Sequence, residues 1–109
     1  MKWSLKYLPE AVKDLKALSG NQRIMVAKAI DKVLGNPLPV QEGGYGKPLG
    51  NKSGNDLSGL LKIKLKSAGI RIVYKIYKTE TEMLVVVIGA RADDEVYNMA
   101  SHRIKKHDL

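Results

Sequence analysis

Three consecutive strand patterns between residues 61 and 88 constrain the fold more than any other part of the sequence. Apolar and polar residues alternate over residues 61–66, as expected of a half-exposed strand. A second period of two follows, in which Ile70, Ile72, Tyr74 and Ile76 alternate with Arg71, Val73, Lys75 and Tyr77. Residues 83–88 are continuously apolar, which is typical of a strand buried on both faces. Because the links at residues 67–69 and 78–81 are short, the sequence predicts a three-stranded antiparallel meander.

The residues before the meander predict a short strand and two helices. Trp3, Leu5 and Tyr7 alternate with polar residues, which indicates an N-terminal strand. Pro9 fits the first turn of a helix, where its missing N–H costs little. That helix is expected to end at residues 19–21 and to bury an apolar stripe formed by Val12, Leu15 and Leu18. A second helix, predicted from about Gln22 to Leu34, completes an α-helical hairpin with a buried face of Val26, Ala27, Ile30, Val33 and Leu34.

The remaining segments differ in character. Residues 35–59 hold seven of the ten glycines, and the expectation there is a long loop without regular structure. A last helix is predicted to begin near Asp93 or Asp94, since acidic residues in a first turn suit the helix dipole. The fold class is therefore α+β, in the order N-terminal strand, α-helical hairpin, three-stranded antiparallel meander, C-terminal helix. A chain of 109 residues suits one domain spanning residues 1–109.

Charge and composition narrow the possible functions. Nineteen Lys and Arg against eleven Asp and Glu give a formal net charge of +8, which attracts polyanions. The absence of cysteine excludes disulfides, thiolate nucleophiles and Cys-based zinc sites. No secretory signal and no apolar stretch long enough for a membrane span is visible, so we expect a cytoplasmic protein.

The charges gather on one face of the predicted meander. A turn at Ala68 and Gly69 would put Lys66 opposite Arg71, and residues paired across strands point to the same side. The same register would put Lys64 opposite Val73. The shared face would carry Lys62, Lys64, Lys66, Arg71 and Lys75.

Two residues beyond the meander are expected to join this face. Arg91 should lie near Arg71 at the end of the third strand, and Tyr97 should lean over the same area from the last helix. A solvated sheet face is the alternative interpretation. However, no acidic residue lies between Leu57 and Lys78 to relieve the repulsion, which favours an anion as ligand.

Such a cluster suits cleavage of RNA at a phosphate. When a 2′-OH attacks phosphorus, Arg and Lys side chains can stabilise the charge that develops on the non-bridging oxygens. A lysine crowded by other cations has a lowered pKa and can take the proton. Metal-assisted cleavage has less support, because His102 and His107 lie near the end of the chain. A helix first turn is sufficient to explain the acidic run of Asp93, Asp94 and Glu95.

The ordered motifs resemble a known family. Residues 61–74, with the sequence LKIKLKSAGIRIVY, are similar to the core motif of the RelE toxins. Gly89-Ala90-Arg91 and Glu95-Val96-Tyr97 fit that family in spacing and order. The resemblance implies the RelE-like fold and a toxin of a type II toxin–antitoxin system. It implies an endonuclease that cuts mRNA in the ribosomal A site without metal or cofactor, leaving a 2′,3′-cyclic phosphate and a 5′-hydroxyl. A cognate antitoxin is the implied protein partner.

The resemblance also assigns roles by position. Lys62 and Lys64 would serve proton abstraction and charge stabilisation, and Arg71 would stabilise the transition state. Arg91 would hold the phosphate or assist the leaving group, and Tyr97 would orient or stack. Further RNA contacts are expected from Lys66, Lys75 and Lys47.

Two other functions fit parts of the pattern. A ParE-like inhibitor of DNA gyrase would have the same fold, but such proteins generally lack the combined set of Lys62, Lys64, Arg91 and Tyr97. A non-catalytic basic RNA-binding module would bind RNA without cutting it. In double-stranded RNA-binding domains the corresponding helix start is basic, whereas here the run of residues 93–95 is acidic and would repel phosphates.

Overall fold

A computed structural model describes residues 3–52 and 54–109, and within them it shows five strands and three α-helices. The elements in chain order are β1 (Ser4–Tyr7), α1 (Pro9–Lys16), α2 (Gly20–Leu34), a 3₁₀ turn (Val40–Glu42), β2 (Lys47–Lys52), β3 (Asn55–Leu65), β4 (Ile70–Tyr77), β5 (Glu82–Gly89) and α3 (Asp93–Lys106).

One mixed sheet contains all five strands, in the order β1-β5-β4-β3-β2. β1 pairs in parallel with β5, and the other three pairings are antiparallel. The predicted α+β class and the meander, now β3-β4-β5, are confirmed. The apolar run in β5 is buried as expected, because this strand has neighbours on both edges and contacts α1 and α3.

The predicted loop over residues 35–59 is wrong in part. It contains the 3₁₀ turn, the whole of β2 and the beginning of β3. The strand pattern is hidden because Gly50 in β2 and Gly59 in β3 have positive φ, which breaks the alternation of side chains. Pro48 adds a register shift between β2 and β3.

The register of β3 and β4 also differs from the expectation. Lys64 pairs with Arg71 and Lys62 pairs with Val73, whereas the sequence suggested Lys66 opposite Arg71 and Lys64 opposite Val73. The difference arises because residues 66–69 form the link, so pairing ends at Leu65 and Ile70. A shift by two residues leaves every paired side chain on its original face, so Lys62, Lys64, Arg71 and Lys75 still share a face, whereas Lys66 lies in the link beyond the paired residues.

The helical hairpin is present with shifted boundaries. α1 ends at Lys16, and α2 begins at Gly20 because Ser19 and Gln22 form a capping box, with hydrogen bonds of 3.2 and 3.0 Å. The buried stripes are also corrected. Val12 is at the exposed edge of α1, where Ala11 is buried instead, and in α2 Ala27 is exposed while its neighbours face the core at Val26, Ile30 and Val33.

α3 begins at Asp93, as predicted, and contacts β3, β4 and β5. Val96 and Ala100 are buried, and Met99 and Ile104 are partly buried against the same core. Since α3 contacts Lys62 and Arg71 through its first two turns, it lies on the face of the sheet that carries the basic residues. No helix in the described ranges is long and apolar enough to span a membrane.

Candidate active site

Adjacent strands bring the basic residues of the sheet together. Lys64 of β3 lies directly opposite Arg71 of β4, and Lys62 lies two residues further along β3, about 7 Å away. On the other side of β3, Lys47 of β2 is the cross-strand partner of Lys62. Three strands therefore contribute cations to one continuous area.

Arg71 is the most firmly held of these cations. Its Nη1 donates to the carbonyl oxygens of Gly69 at 3.0 Å and Arg91 at 2.7 Å, and its Nε donates to the Asp93 carboxylate. Only 16% of its side chain is exposed. These contacts fix the plane of the guanidinium and use the Nε hydrogen and both Nη1 hydrogens, so Nη2 is the nitrogen left to donate to phosphate oxygens.

Asp93 corrects the expectation that the cluster has no acidic neighbour. The hydrogen bond from Arg71 lowers the pKa of the Asp93 carboxyl, and the charges of Arg71, Lys64 and Lys62 lower it further. Asp93 is therefore more than a first-turn residue suited to the helix dipole, since its carboxylate also pairs with Arg71. The sequence placed Asp93 close to the site, two residues after Arg91, but gave no sign of this ion pair.

Lys62 and Tyr97 form a second fixed contact. Nζ of Lys62 donates to the Tyr97 hydroxyl at 2.8 Å and lies 5.5 Å from the centroid of the ring. Tyr97 is only 3% exposed, so it does not lean over the basic residues from the solvent side, contrary to the expectation from the sequence. Its ring instead packs in the core beneath the cluster, and its hydroxyl supports Lys62 from below.

The side chain of Arg91 is more exposed than that of Arg71 and has fewer contacts. Its backbone carbonyl accepts the bond from Arg71, which brings the two residues together as the sequence suggested. Its side chain is 63% exposed and contacts Glu95 at 3.3 Å, four residues along the chain. Because an exposed ion pair of this kind is worth only about 0.3–0.5 kcal/mol, Arg91 can turn towards a bound anion at little cost.

An open groove of about 420 Å³ lies beside this cluster. Its wall is strongly basic on the sheet side and contains two exposed apolar side chains from the loop before β2. The lining residues are Val40, Tyr45, Lys47, Lys62, Ile63, Lys64 and Lys66. Tyr45 was not singled out in the sequence, although it is the one aromatic residue in the glycine-rich stretch of residues 35–59.

Lys75 lies apart from the other predicted cations. It is four residues along β4 from Arg71, about 13 Å, and its Nζ donates to the Leu109 carbonyl at 3.3 Å. Nζ also lies 5.2 Å from the centroid of the Tyr77 ring. The structure therefore groups Lys47 and Lys66 with the central cluster, and places Lys75 towards the C-terminal end of α3.

The histidines stand away from this site. His107 contacts Glu10 at 2.9 Å, and His102 is exposed on α3. Across residues 3–52 and 54–109, no group of three or more His, Cys, Asp or Glu side chains is arranged to hold a metal ion.

Known proteins are similar to this chain in both sequence and fold. No family model matches it. The mRNA interferase toxin RelE of Escherichia coli K12 is 29% identical over 107 residues, which covers 95% of this chain and 99% of the relative. The solved structure of an E. coli RelE variant, with two arginines replaced by alanine, matches with a TM-score of 0.73 and 27% identity over 95% of this chain and 99% of that one.

The chain is a homologue of the RelE toxins. The resemblance inferred from the sequence is therefore confirmed, and so is the RelE-like fold. A second RelE structure, of the same variant bound to a peptide of the antitoxin RelB, matches with a TM-score of 0.69 and 26% identity over 92% of this chain and 95% of that one. These matches cover the helical hairpin, the sheet and α3 together, because each extends over more than nine-tenths of this RelE homologue.

Proposed function

We propose that this protein is the toxin of a type II toxin–antitoxin system, and that it cuts mRNA in the ribosomal A site without a metal ion. The observation that carries the proposal is the contact between Arg71 and the start of α3, which brings five side chains from β3, β4 and the β5-α3 segment to one area. These are Lys62, Lys64, Arg71, Arg91 and Tyr97. Homology to a protein named an mRNA interferase toxin supports mRNA as the substrate.

The proposed reaction begins with attack of a ribose 2′-OH on the adjacent phosphorus. The bond between O2′ and phosphorus forms while the bond between phosphorus and O5′ breaks, which leaves a 2′,3′-cyclic phosphate and a 5′-hydroxyl. Arg71 is oriented in advance and stabilises the charge on the non-bridging oxygens. The exposed side chain of Arg91 turns from Glu95 to the same phosphate or assists the departing oxygen.

The two proton transfers are assigned to Lys62 and Lys64, and Tyr97 positions the first of them. One lysine of the pair, Lys62 or Lys64, accepts the proton of the 2′-OH in its neutral form, and the other, as an ammonium, donates a proton to the leaving 5′ oxygen as its bond breaks. Tyr97 positions Lys62, since its buried hydroxyl accepts the hydrogen bond from Nζ. Lys47 and Lys66 would hold neighbouring phosphates, and Lys75 would contact RNA further from the reacting bond.

The proposed partners are a cognate antitoxin, the ribosome and mRNA. A cognate antitoxin would bind this toxin, as the antitoxin peptide binds the similar RelE variant. The ribosome and mRNA place the reaction in the cytoplasm. All of residues 1–109 would form one toxin domain, since the matches extend over nearly the whole chain.

The decisive experiment maps cuts on a defined message by primer extension, with and without ribosomes stalled at a known codon. We expect cuts within the A-site codon that require ribosomes, and products with cyclic phosphate and 5′-hydroxyl ends. A single 2′-deoxy nucleotide at the cut should abolish cleavage there. Cuts that tolerate this substitution and leave 5′-phosphates would contradict 2′-OH attack and would favour a metal-bound water as nucleophile.

Parallel assays separate the alternatives. Inhibition of gyrase supercoiling without any mRNA cut would favour the ParE-like function. Binding of RNA without a cut, on or off the ribosome, would favour a non-catalytic module.

A further inference from the structure

The groove beside the cluster has features that the reaction at one phosphate does not use. Lys47, Lys64 and Lys66 line it on the sheet side, and Tyr45 and Val40 line it on the loop side. We propose that this Tyr45 groove binds a nucleotide of the RNA next to the phosphate that is cut, with its base stacked on Tyr45 and its phosphate on the lysines. The proposal rests on RNA being the substrate.

Tyr45 is exposed in a way that packing does not explain. Half of the residue, 50%, is accessible, and it is absent from the buried core. Nζ of Lys32 lies 5.2 Å from the centroid of its ring, and Lys32 comes from α2 and does not line the groove. A base is a suitable ligand for such a ring, because every base has a π-face and stacking requires no particular sequence.

The loop that carries Tyr45 is fixed before any ligand arrives. The backbone N–H of Tyr45 donates to the Asn36 carbonyl at 3.1 Å, and that of Gly46 donates to the Leu38 carbonyl at 3.1 Å. Gly46 packs so closely on the buried Tyr74 that an added Cβ would lie 2.1 Å from the Tyr74 hydroxyl oxygen. A loop backbone held in this way loses little conformational entropy when the ring binds a base, which strengthens the interaction.

The groove continues directly from the candidate active site. Lys62 belongs to both, since it lines the groove and donates to the Tyr97 hydroxyl. Lys47 lies opposite Lys62 across the β2-β3 pairing and carries the basic surface onward to the loop. An RNA strand whose phosphate lies at Arg71 could therefore extend along these lysines towards Tyr45.

The experiment compares Tyr45→Ala, Tyr45→Phe and the control Ile24→Ala. Ile24 is similarly exposed at 56%, lies on α2 and does not line the groove. The probe is a fluorescent eight-nucleotide 2′-O-methyl RNA, which cannot be cut by 2′-OH attack, and its binding to the full-length protein is measured by anisotropy at one fixed salt concentration. Circular dichroism and thermal melting establish that each variant is folded.

We expect Tyr45→Ala to weaken binding of this probe by roughly 5- to 150-fold, which is the effect of losing one stacked base. Tyr45→Phe should bind like the wild type because it keeps the ring, and so should Ile24→Ala. In the ribosome assay, Tyr45→Ala should raise KM more than it lowers kcat. Unchanged probe affinity in Tyr45→Ala, or a wild-type protein that does not bind the probe, would overturn the proposal.

Two outcomes separate this inference from the proposed function. Normal cleavage with no effect of Tyr45→Ala on affinity or KM would leave the endonuclease in place and exclude the stacking site. Probe binding that depends on Tyr45 in a protein that never cuts mRNA would support the stacking site and refute the endonuclease. If Tyr45→Ala weakens only the binding of an antitoxin peptide, the groove is a protein-binding surface and the inference fails.

Discussion

The guanidinium of Arg71 donates to the carboxylate of Asp93, so the central cation of the candidate site is paired with an acid from a different element. Asp93 comes from the first turn of α3, whereas Arg71 is on β4. The contact attaches the helix to the sheet and sets the direction of the arginine. It also means that an incoming phosphate meets a negative charge beside the group that should bind it.

Asp93→Asn should therefore strengthen RNA binding. The amide oxygen can still accept from Nε of Arg71, so the orientation is kept while the charge is removed. We expect affinity for the 2′-O-methyl RNA probe to rise roughly 5-fold at low salt, equivalent to about 1 kcal/mol for one charge near a phosphate. Asp31→Asn, an equal change of charge at an exposed position of α2, is the matched control. Weaker binding by Asp93→Asn would mean that the carboxylate itself is needed to orient Arg71.

Tyr97→Phe tests whether the buried hydroxyl positions Lys62. The ring remains in the core, so the fold should survive, whereas Tyr97→Ala would cost about 3–5 kcal/mol through the cavity it leaves. We expect Tyr97→Phe to slow cleavage of ribosome-bound mRNA roughly 10-fold, as part of the 10²–10⁴-fold typical of a positioned acid or base. An unchanged rate would show that the hydroxyl has no such role.

Alanine variants of Arg71 and Arg91 should lose similar amounts of activity but differ in their thermal stability. Either alanine variant should slow cleavage by about 10²–10³-fold, the usual effect of removing one transition-state donor. Arg91→Ala should leave the melting temperature nearly unchanged because its ion pair is exposed. Arg71→Ala should lower it, because the side chain makes hydrogen bonds to the β3-β4 link and to the start of α3.

A charge-conserving control separates the two effects at Arg71. Arg71→Lys keeps the positive charge but lacks the planar fork, so we expect activity to stay low even where folding recovers. Full activity in Arg71→Lys would show that only a point charge is required at this position.

The regular parts of the fold were predictable from the sequence. The alternation in β3 and β4 and the apolar run of β5 have simple periods, and a two-residue error in register did not change which side chains share a face. β2 was missed because Pro48 and Gly50 carry no alternation, and its pairing depends on a shifted register with β3.

The sequence indicated which residues form the candidate site better than it indicated which side chains contact one another there. The identities of Lys62, Arg71 and Tyr97 follow from position, but the partners of these side chains depend on how α3 lies across the sheet. A helix period specifies which residues are buried and does not specify the crossing angle that brings Asp93 to Arg71. The long-range pair of Asp14 and Arg103 was missed for the same reason.

Asp14 and Arg103 form an ion pair that completes the edge of β5 where β1 ends. Nη1 and Nη2 of Arg103 donate to the two carboxylate oxygens of Asp14 at 2.5 and 3.1 Å. The same side chains satisfy the backbone of β5, since Asp14 accepts from the N–H of Ile88 and Arg103 donates to the carbonyl of Val86. The pair thus joins α1, β5 and α3, with both side chains largely buried.

Asp14→Ala or Arg103→Ala should lower the free energy of unfolding by about 3 kcal/mol, because each leaves a buried charge and a strand group without its partner. The double variant should cost less than the sum of the two, as expected of residues in contact. Urea unfolding at neutral pH measures both. Lys78→Ala, which breaks the exposed pair with Glu42, is the control and should cost under about 1 kcal/mol. Strictly additive losses would show that the two side chains do not stabilise each other.

Glu10 should make stability depend on pH in the acid range. Its carboxylate accepts from Nε2 of His107 at 2.9 Å and Nζ of Lys106 at 3.0 Å, and these bonds lower its pKa from 4.5 to about 2. Because the folded pKa lies below the unfolded one, the contribution of Glu10 is complete above pH 4.5 and is lost as the pH falls towards 2. Thermal melts across this range should show a steeper loss for the wild type than for Glu10→Gln, with Glu80→Gln in the exposed β4-β5 link behaving like the wild type. Parallel curves for the wild type and Glu10→Gln would mean that the contacts with the end of α3 do not stabilise the folded protein.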